Sequence, residues 1–143
     1  MKEFDKALVI GRFQPLHKGH IYLIKRALRI ANKVIVGIGS ANIHDIDNPF
    51  SVETRLNWIR QAIEKEKIAE NAANIVSLDD DPSDEKWLQE TLKKTGKIDV
   101  AVGNNEWVNG IFREAGYPVI EVPFYHREVF EGKKIRESLR AYE

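Results

Sequence analysis

The segment LVIGRFQPLHKGH, from Leu8 to His20, holds the residue types best suited to chemistry on an anion. Its two histidines, His17 and His20, are three residues apart, so they lie on one face if a helix begins there. Pro15 fixes the chain just before that helix, and the free N–H groups and dipole of a helix N-terminus attract anions. Gly19 has no side chain, which lets a bulky phosphate ester approach the backbone. The segment therefore predicts a phosphate-binding corner.

Two other interpretations of the histidine pair remain open. An H-x-x-H pair can bind a transition metal, but a zinc site needs at least a third protein ligand, which only His44, His126 or carboxylates would supply. Alternatively, both histidines cap the loop or lie half-buried, with a structural role only. The segment contains neither G-x-G-x-x-G nor G-x-x-x-x-G-K-[ST], which excludes the common dinucleotide and triphosphate loops.

Strand patterns and helix patterns alternate along the chain. Short segments rich in β-branched residues predict five buried strands, at Ala7–Gly11, Val34–Ile38, Ile75–Leu78, Ile98–Val102 and Val119–Val122. Apolar residues at helical spacing predict helices over Lys18–Ala31, after the N-cap Ser51, after Ser83, and through Trp107 to Gly116. Such crossovers imply one doubly wound α/β domain over residues 1–143, with a five-stranded parallel sheet. Ligands of these sheets bind beyond the carboxyl ends of the strands, beside the loop after the first strand.

The composition limits the partners. Among 143 residues, 22 basic side chains balance 22 acidic ones, so no strong field draws the chain to nucleic acid or to a membrane surface. The absence of cysteine excludes disulfides, thiolate zinc sites and a cysteine nucleophile. No apolar run approaches the roughly 20 residues that span a bilayer, and the charged start MKEFDK is unlike a signal peptide. We expect a cytoplasmic protein that binds neither nucleic acid nor membranes.

The form GRFQPLHKGH resembles the (H/T)-x-G-H signature of the nucleotidyltransferase superfamily, which has a Rossmann-like fold. Within it, the segment is similar to the archaeal-type nicotinamide-mononucleotide (NMN) adenylyltransferases. Arg12 and Gln14 carry this distinction, because relatives acting on pantetheine phosphate, glycerol phosphate or flavin mononucleotide more often have G-T-F-D here. The resemblance extends from Leu8 to about Ile135, through VIVGIGSAN, NPFSVETR, Trp87, Gly103-Asn104 and Arg127.

The resemblance implies a reaction and a set of site residues. ATP would transfer its adenylyl group to the phosphate of NMN, giving NAD⁺ and pyrophosphate, with Mg²⁺ held mainly by the ATP phosphates and no metal ligand from the protein. The implied catalytic residues are Arg12, His17, His20 and Arg136. Those implied to bind ATP are Gly11, Phe13, Gln14, Gly19, Gly103, Asn104, Arg127, Gly132 and Ile135, and those implied to bind NMN are Asn48, Phe50, Arg55 and Trp87. Because archaeal relatives assemble as hexamers, a homo-oligomer is also expected.

The last motif departs from the family pattern. The usual S-G-T-x-I-R is replaced by E-G-K-K-I-R at Glu131–Arg136. The negative charge of Glu131 repels phosphate at short range, while the two lysines add positive charge that compensates for it. Two alternatives therefore stay open. The chain is an adenylyltransferase for another phosphorylated acceptor, such as flavin mononucleotide, nicotinate mononucleotide or pantetheine phosphate, or it is a nucleotide-binding protein with weakened catalysis.

For each of three side chains at the implied site, two interpretations remain open. Trp87 either packs in the core or stacks on the nicotinamide ring, for which a tryptophan is well suited. Arg55 is either an exposed helix residue or a ligand of a substrate phosphate. Asn104 either hydrogen-bonds the nucleotide or caps the following helix.

Other conspicuous residues are predicted to have structural roles only. Trp58 and Trp107 lie among apolar residues at helical spacing, which is typical of packing. The acidic segment Asp79–Asp81 is the obvious candidate for a metal cage, but it is interpreted as a solvated loop.

Overall fold

A computed structural model describes residues 2–123 of the chain. Within that range strands and helices alternate as predicted. The strands are β1 (Phe4–Gly11), β2 (Ala31–Ile38), β3 (Ala73–Ser77), β4 (Val100–Gly103) and β5 (Val119–Glu121). The helices are α1 (Lys18–Ile30), α2 (Val52–Lys65), α3 (Asp84–Thr95) and α4 (Glu106–Glu114), with a 3₁₀ turn at Glu70–Ala72. None of the helices between residues 2 and 123 is long and apolar enough to cross a bilayer.

The five strands form one parallel sheet in the order β3-β2-β1-β4-β5, which confirms the predicted α/β fold. The chain first proceeds to one side, from β1 through β2 to β3, and then returns to place β4 and β5 on the other side. The strand order therefore reverses between β1 and β4. A crevice for ligands forms beyond the carboxyl ends of strands at such a reversal.

Both faces of the sheet are covered, as expected for parallel strands. The adjacent residues Leu8 and Val9 of the central strand β1 point to opposite faces, and each is only 1% exposed. Val9 belongs to an apolar cluster with residues of α1 and α2, including Leu23, Ile24, Ala27 and Ile59. Leu8 belongs to a second cluster with residues of α3 and α4, including Trp87, Ile111 and Phe112.

Side-chain caps fix where the helices begin. Ser51 and Ser83, both expected at helix starts, each accept the backbone N–H three residues further on, at 3.2 Å in both cases. The cap of α4 is Asn105, whose Oδ1 accepts the N–H of Val108 at 3.1 Å. The alternative that Asn104 caps this helix is therefore wrong, because its neighbour already does so.

The junction between α1 and β2 differs from the prediction. Ala31 was expected at the end of the helix, but α1 ends at Ile30 and Ala31 is the first residue of β2. Its N–H still donates to the carbonyl of Ala27, while its side chain is fully buried in the core. Helix and strand are thus joined without a loop. At the other end of the fold α4 stops at Glu114, and Gly116 follows with a φ of +89°, a conformation that favours glycine after a helix.

Candidate active site

His17 and His20 form a stacked pair at the start of α1. Their ring centroids are 3.9 Å apart and their planes differ by 27°. Nδ1 of His17 accepts the N–H of Gly19 at 3.1 Å, and Nδ1 of His20 accepts the N–H of His17 at 3.2 Å. Because both Nδ1 atoms are acceptors, each neutral ring carries its proton on Nε2. The pair therefore caps the helix with one edge of each ring and has a donor on the other edge.

Burial keeps both rings uncharged at neutral pH. Desolvation lowers the pKa of His17 to about 4. Desolvation, together with a smaller effect of charge on His17, lowers the pKa of His20 to about 3. The ring of Phe13 packs on His20 with its centroid 4.5 Å away, which contributes to this burial. The histidines can thus hydrogen-bond a phosphate oxygen but supply no formal charge to it. The positive charge of the site comes from other residues.

The loop that follows β1 is tightly packed around the histidines. Phe13 is buried and has a φ of +55°, which is uncommon for a residue other than glycine. A Cβ atom on Gly11 would lie 3.3 Å from the ring of His20 and 3.2 Å from that of Phe13. Glycine at position 11 therefore lets both rings approach the end of β1. The Gln14–Pro15 peptide bond is cis.

Gln14 joins this loop to the segment ahead of α2. Its amide donates to the carbonyl of Phe50 at 3.1 Å and accepts the N–H of Phe50 at 3.0 Å. Only 2% of Gln14 is exposed. A second link runs from Nη1 of Arg12 to Oδ1 of Asn48 at 3.2 Å, and Asn48 is itself buried. Arg12, implied by the resemblance to be catalytic, and Gln14, implied to bind ATP, thus contact two residues implied to bind NMN.

Arg55 holds three segments together from within the protein. It is fully buried, so the alternative of an exposed helix arginine is wrong. Its guanidinium donates to the carbonyls of Arg12 at 2.9 Å and Gly39 at 3.0 Å, and its Nε donates to the carbonyl of Ser51 at 3.3 Å. Burial and the charge on Arg12 lower the pKa of Arg55. This arrangement favours a positioning role at the ends of β1 and β2, and contact with a substrate phosphate stays a prediction.

Two clefts open at the carboxyl edge of the sheet. The one we term the central cleft has a volume of about 620 Å³ and spans the ends of β1 to β4. Its lining is Ile10, Gly11, Arg12, Gly39, Ser40, Asn42, Ile43, Asp80, Asp81, Pro82, Trp87, Asn105, Trp107 and Val108. The one we term the edge cleft, of about 850 Å³, lies at the ends of β4 and β5. Its lining is Asn104, Asn105, Glu106, Trp107, Glu121, Val122 and Pro123.

Opposite charges border the central cleft. Arg12 follows β1, whereas Asp80 and Asp81 follow β3, two strands away and thus roughly 10 Å across the sheet. Asp80 is exposed, as expected for a solvated loop, but its Oδ1 accepts the hydroxyl of Ser40 at 3.0 Å and its N–H donates to Asn42 at 2.9 Å. The acidic segment is therefore attached to the end of β2 and contributes to the cleft. Among residues 2–123 no group of three or more histidine, aspartate or glutamate side chains could hold a metal ion.

The three tryptophans differ in how well their burial agrees with the prediction. Trp58 packs edge-on against Phe50 with centroids 4.8 Å apart, as predicted. Trp107 was predicted to pack but is 52% exposed and borders both clefts. Trp87 is only 3% exposed, although it borders the central cleft. The position of Trp107 in the first turn of α4 was the available signal, because helical side chains point towards the N-terminus and here towards the edge of the sheet.

Gly103 ends β4, and a buried residue that the sequence pattern did not indicate binds its carbonyl. Asn109 of α4 is 1% exposed, and its amide donates to the carbonyl of Gly103 at 3.2 Å. A Cβ atom on Gly103 would lie 3.1 Å from the Asn109 side chain. Its helical position alone gave no signal, since a polar residue in a helix usually faces water. The other expected residues, His126, Arg127, Glu131, Gly132, Lys133, Lys134, Ile135 and Arg136, lie outside the described residues.

Comparison with known proteins defines the class of this fold and site. The sequence model of the cytidylyltransferase-like family matches residues 8–137, which is most of the chain. The chain therefore belongs to the cytidylyltransferase-like family.

Two similar proteins indicate the group within this family to which the chain belongs. The chain is 37% identical over 139 residues to a nicotinamide-nucleotide adenylyltransferase of Thermoplasma acidophilum, covering 96% of this chain and 76% of the relative. It is 38% identical to the enzyme of the same name from Methanolobus tindarius, covering 94% of this chain and 76% of the relative. Within its family the chain thus belongs with the nicotinamide-nucleotide adenylyltransferases, which are enzymes.

Two solved structures have folds similar to that of this chain. The crystal structure of a bifunctional NMN adenylyltransferase/ADP ribose pyrophosphatase from Francisella tularensis matches with a TM-score of 0.86 and 29% identity. The match covers 98% of this chain but 43% of that protein, so this chain spans less than half of the bifunctional protein. A structure of the same protein complexed with AMP and a manganese ion matches with a TM-score of 0.79 and 29% identity, over 96% of this chain and 42% of that chain.

Proposed function

We propose that this chain transfers the adenylyl group of ATP to NMN, forming NAD⁺ and pyrophosphate. The observation that carries the proposal is the stacked pair of His17 and His20 at the start of α1. The ring of His20 lies beside Gly11, which lines the central cleft, while neither histidine lines the cleft itself. Two neutral N–H donors at the N-terminus of α1 suit a phosphate that gains charge during reaction. The names of the relatives from Thermoplasma and Methanolobus support the same activity.

The reaction needs alignment and charge stabilisation rather than a nucleophilic side chain. An oxygen of the NMN phosphate attacks the α-phosphorus of ATP and forms a new P–O bond. The bond from that phosphorus to the bridging β-oxygen breaks, and pyrophosphate leaves with the electron pair. Since the attacking phosphate is already ionised near neutral pH, no general base is required. His17 and His20 donate hydrogen bonds to the α-phosphate, as positioning and electrostatics supply most of the rate in phosphoryl transfer.

Positive charge for the triphosphate comes from arginines and a metal ion. Arg12 follows β1 at the cleft and faces the β- and γ-phosphates in this proposal, while Arg127 and Arg136 act on the departing pyrophosphate. In this proposal an Mg²⁺ ion is held mainly by the ATP phosphates and water, as that ion tends to be in proteins. When bound, that ion offsets the remaining negative charge. Gly11, Phe13, Gly19, Gly103 and Asn104 shape the path of ATP towards the edge cleft.

The central cleft is the proposed site of the acceptor. NMN carries a phosphate and a positively charged pyridinium ring, and the cleft is lined by the cation Arg12, by the carboxylates of Asp80 and Asp81, and by two tryptophans. Asn48, Phe50 and Arg55 support the phosphate side of the cleft through their bonds to the loop after β1. Flavin and pantetheine phosphates lack the positive ring, and nicotinate mononucleotide adds a carboxylate that Asp80 and Asp81 repel.

Partners and location follow from the same proposal. The substrates are the small molecules ATP and NMN, and the balanced charge of 22 basic and 22 acidic residues gives nucleic acid or membranes no field to act on. We propose a cytoplasmic enzyme that forms a homo-oligomer, with the hexamer of archaeal relatives as the specific expectation.

A panel of acceptors tests the assignment. Purified protein with ATP and Mg²⁺ is given NMN, nicotinate mononucleotide, flavin mononucleotide or pantetheine phosphate, and kcat/KM is measured from pyrophosphate release. The proposal predicts the highest value for NMN. A higher value for another acceptor would retain the reaction and replace the substrate. ATP binding without turnover on any acceptor would instead support a nucleotide-binding protein weakened at Glu131.

A further inference from the structure

Asn48 connects the exposed Arg12 to Asp45, in the loop between β2 and α2. Only 7% of Asn48 is exposed. Its Oδ1 accepts an N–H of Nη1 of Arg12 at 3.2 Å, and its Nδ2 donates to Oδ1 of Asp45 at 3.1 Å. Within the described part of the chain, the bond to Asn48 is the one hydrogen bond of the Arg12 side chain. The direction of the guanidinium therefore depends on how the Asn48 amide is oriented.

The two neighbours of the Asn48 amide determine which way it faces. An ionised carboxylate only accepts hydrogen bonds, and a guanidinium only donates them. The amide nitrogen must therefore face Asp45, and the amide oxygen must face Arg12. The hydrogen bond from Asn48 lowers the pKa of Asp45, which keeps this carboxylate ionised near neutral pH. Without the carboxylate, the amide is able to turn and present N–H groups to a guanidinium that cannot accept them.

The carboxylate of Asp45 is itself held in a fixed place. Its Oδ1 also accepts the backbone N–H groups of Asp47 and Asn48, both at 2.9 Å, so three donors converge on one oxygen. Two backbone hydrogen bonds of 3.1 Å between Asp45 and Asn48 close the turn without using the carboxylate. Truncation of the Asp45 side chain therefore removes the partner of the amide, while the backbone pairing of the turn is retained.

We propose that Asp45 is a positioning residue, which orients the Asn48 amide so that Arg12 faces the triphosphate of ATP. This rests on the proposed function, in which Arg12 faces the β- and γ-phosphates. A guanidinium presents several N–H donors in a planar fork, so the donors that Asn48 does not use are aimed at phosphate oxygens. Prior orientation of a flexible arginine reduces the entropy lost when the anion binds. Asp45 lines neither the central cleft nor the edge cleft and acts through its two neighbours.

Equilibrium binding of ATP with Mg²⁺ to three variants tests the proposal. Asp45→Ala is expected to weaken ATP binding by about fivefold or more, because the amide loses its fixed orientation. Asp45→Asn retains an oxygen acceptor for the amide and for the turn, and its affinity is expected to be nearly that of the wild type. Asp47→Ala removes an exposed carboxylate from the same loop but keeps the backbone N–H, so it is the matched control with wild-type affinity. Equal affinities of Asp45→Ala and Asp47→Ala, or equal losses in Asp45→Ala and Asp45→Asn, would overturn the proposal.

A second substitution distinguishes orientation of the amide from a general loosening of the loop. A carboxylate at position 48 accepts a hydrogen bond through either oxygen, so Arg12 no longer depends on the orientation of an amide. Asn48→Asp alone replaces the 3.1 Å hydrogen bond to Asp45 by a contact of two carboxylates and is expected to weaken ATP binding. Asp45→Ala combined with Asn48→Asp is expected to bind ATP more tightly than either single variant. Losses that add in the double variant would contradict the positioning role.

Binding and turnover together separate this proposal from the proposed function. ATP binding that depends on Asp45 supports the positioning role even if the wild type forms no NAD⁺ and the proposed function fails. Formation of NAD⁺ by the wild type, with ATP binding unchanged in Asp45→Ala, refutes the positioning role while the proposed function stands. In the full reaction Asp45→Ala is expected to raise KM for ATP and to leave KM for NMN nearly unchanged, and an equal rise in both would refute the positioning role. Failure of the wild type to bind ATP refutes both.

Discussion

The Nδ1 atom of His20 accepts the backbone N–H of His17, so the second histidine of the signature fixes the first while the two rings stack. This relationship assigns the two nitrogens of each ring different tasks. Nδ1 belongs to the helix cap, and in the proposed mechanism Nε2–H donates to the α-phosphate. The two tasks can be separated by substitution, because asparagine reproduces the position of Nδ1 and glutamine that of Nε2.

The first prediction concerns His20→Asn and His20→Gln. Asparagine keeps an acceptor for the N–H of His17 but has no donor at the Nε2 position, so kcat/KM is expected to fall by about a hundredfold or more while the fold is retained. Glutamine retains a donor and is expected to lose less. Steady-state kinetics and circular dichroism of both variants check this. Wild-type activity in His20→Asn would show that the ring matters only as a cap.

Stability is expected to fall as the solution is acidified from pH 7 to pH 5. The pKa of His17 is about 4 and that of His20 about 3 in the folded protein, below the usual 6.5 of an unfolded chain. Below pH 6.5 the unfolded state binds protons that the folded state does not, so the free energy of unfolding decreases as the pH falls towards these values. Well above pH 6.5 both states are neutral and the effect vanishes. His20 contributes about 1–2 kcal/mol to the loss by pH 5, and His17 contributes less because solvent screens its partly exposed ring.

Urea denaturation at the two pH values measures this effect in the wild type and in His20→Asn. The variant lacks one of the two titrating rings and is expected to lose less stability on acidification. An equal loss in both proteins would mean that burial does not depress the pKa of His20.

Arg55→Met is expected to destabilise the fold strongly. The substitution leaves the carbonyls of Arg12 and Gly39 without the guanidinium that now binds them, at a cost of about 3 kcal/mol. Arg60→Met on the same helix is the control, because Arg60 is exposed and such surface changes stay within about 0.5 kcal/mol. Chemical denaturation compares the two. Similar small effects would indicate that Arg55 is not the link between the three segments.

Gln14→Leu is expected to detach the segment ahead of α2. Both hydrogen bonds to the backbone of Phe50 are lost, which costs about 2 kcal/mol and loosens the wall of the site. KM for NMN is expected to rise because Asn48 and Phe50 lie in that segment. Gln61→Leu on the exposed face of α2 serves as the control in both assays. Should Gln14→Leu match this control in stability and KM, the pairing would have no role.

Local patterns predicted most of the fold. The β-branched segments and the serine caps depend on neighbours in the sequence, so Ser51 and Ser83 were identified as helix starts and five parallel strands were expected. The boundary at Ala31 was missed because its burial and its pairing with β1 are set by distant residues. Tertiary contacts of this kind override local helix propensity.

The candidate site was predicted less completely. The signature segment identified His17 and His20, since their spacing and the helix start are local. Arginine is usually exposed and tryptophan is usually largely buried, but Arg55 is buried and Trp107 is exposed. Both departures result from the positions of α2 and α4 at the edge of the sheet. Asn109 was missed for the same reason, because its partner Gly103 lies on a strand.

The most direct test of the account is the balance of products formed from NMN and ATP. The protein is incubated with both substrates and Mg²⁺, and NAD⁺ and pyrophosphate are measured together over time. Adenylyl transfer predicts that the two products appear in equal amounts, at a rate that depends on NMN and that His20→Asn greatly reduces. Pyrophosphate released without NAD⁺, or ATP bound without either product, would contradict the account.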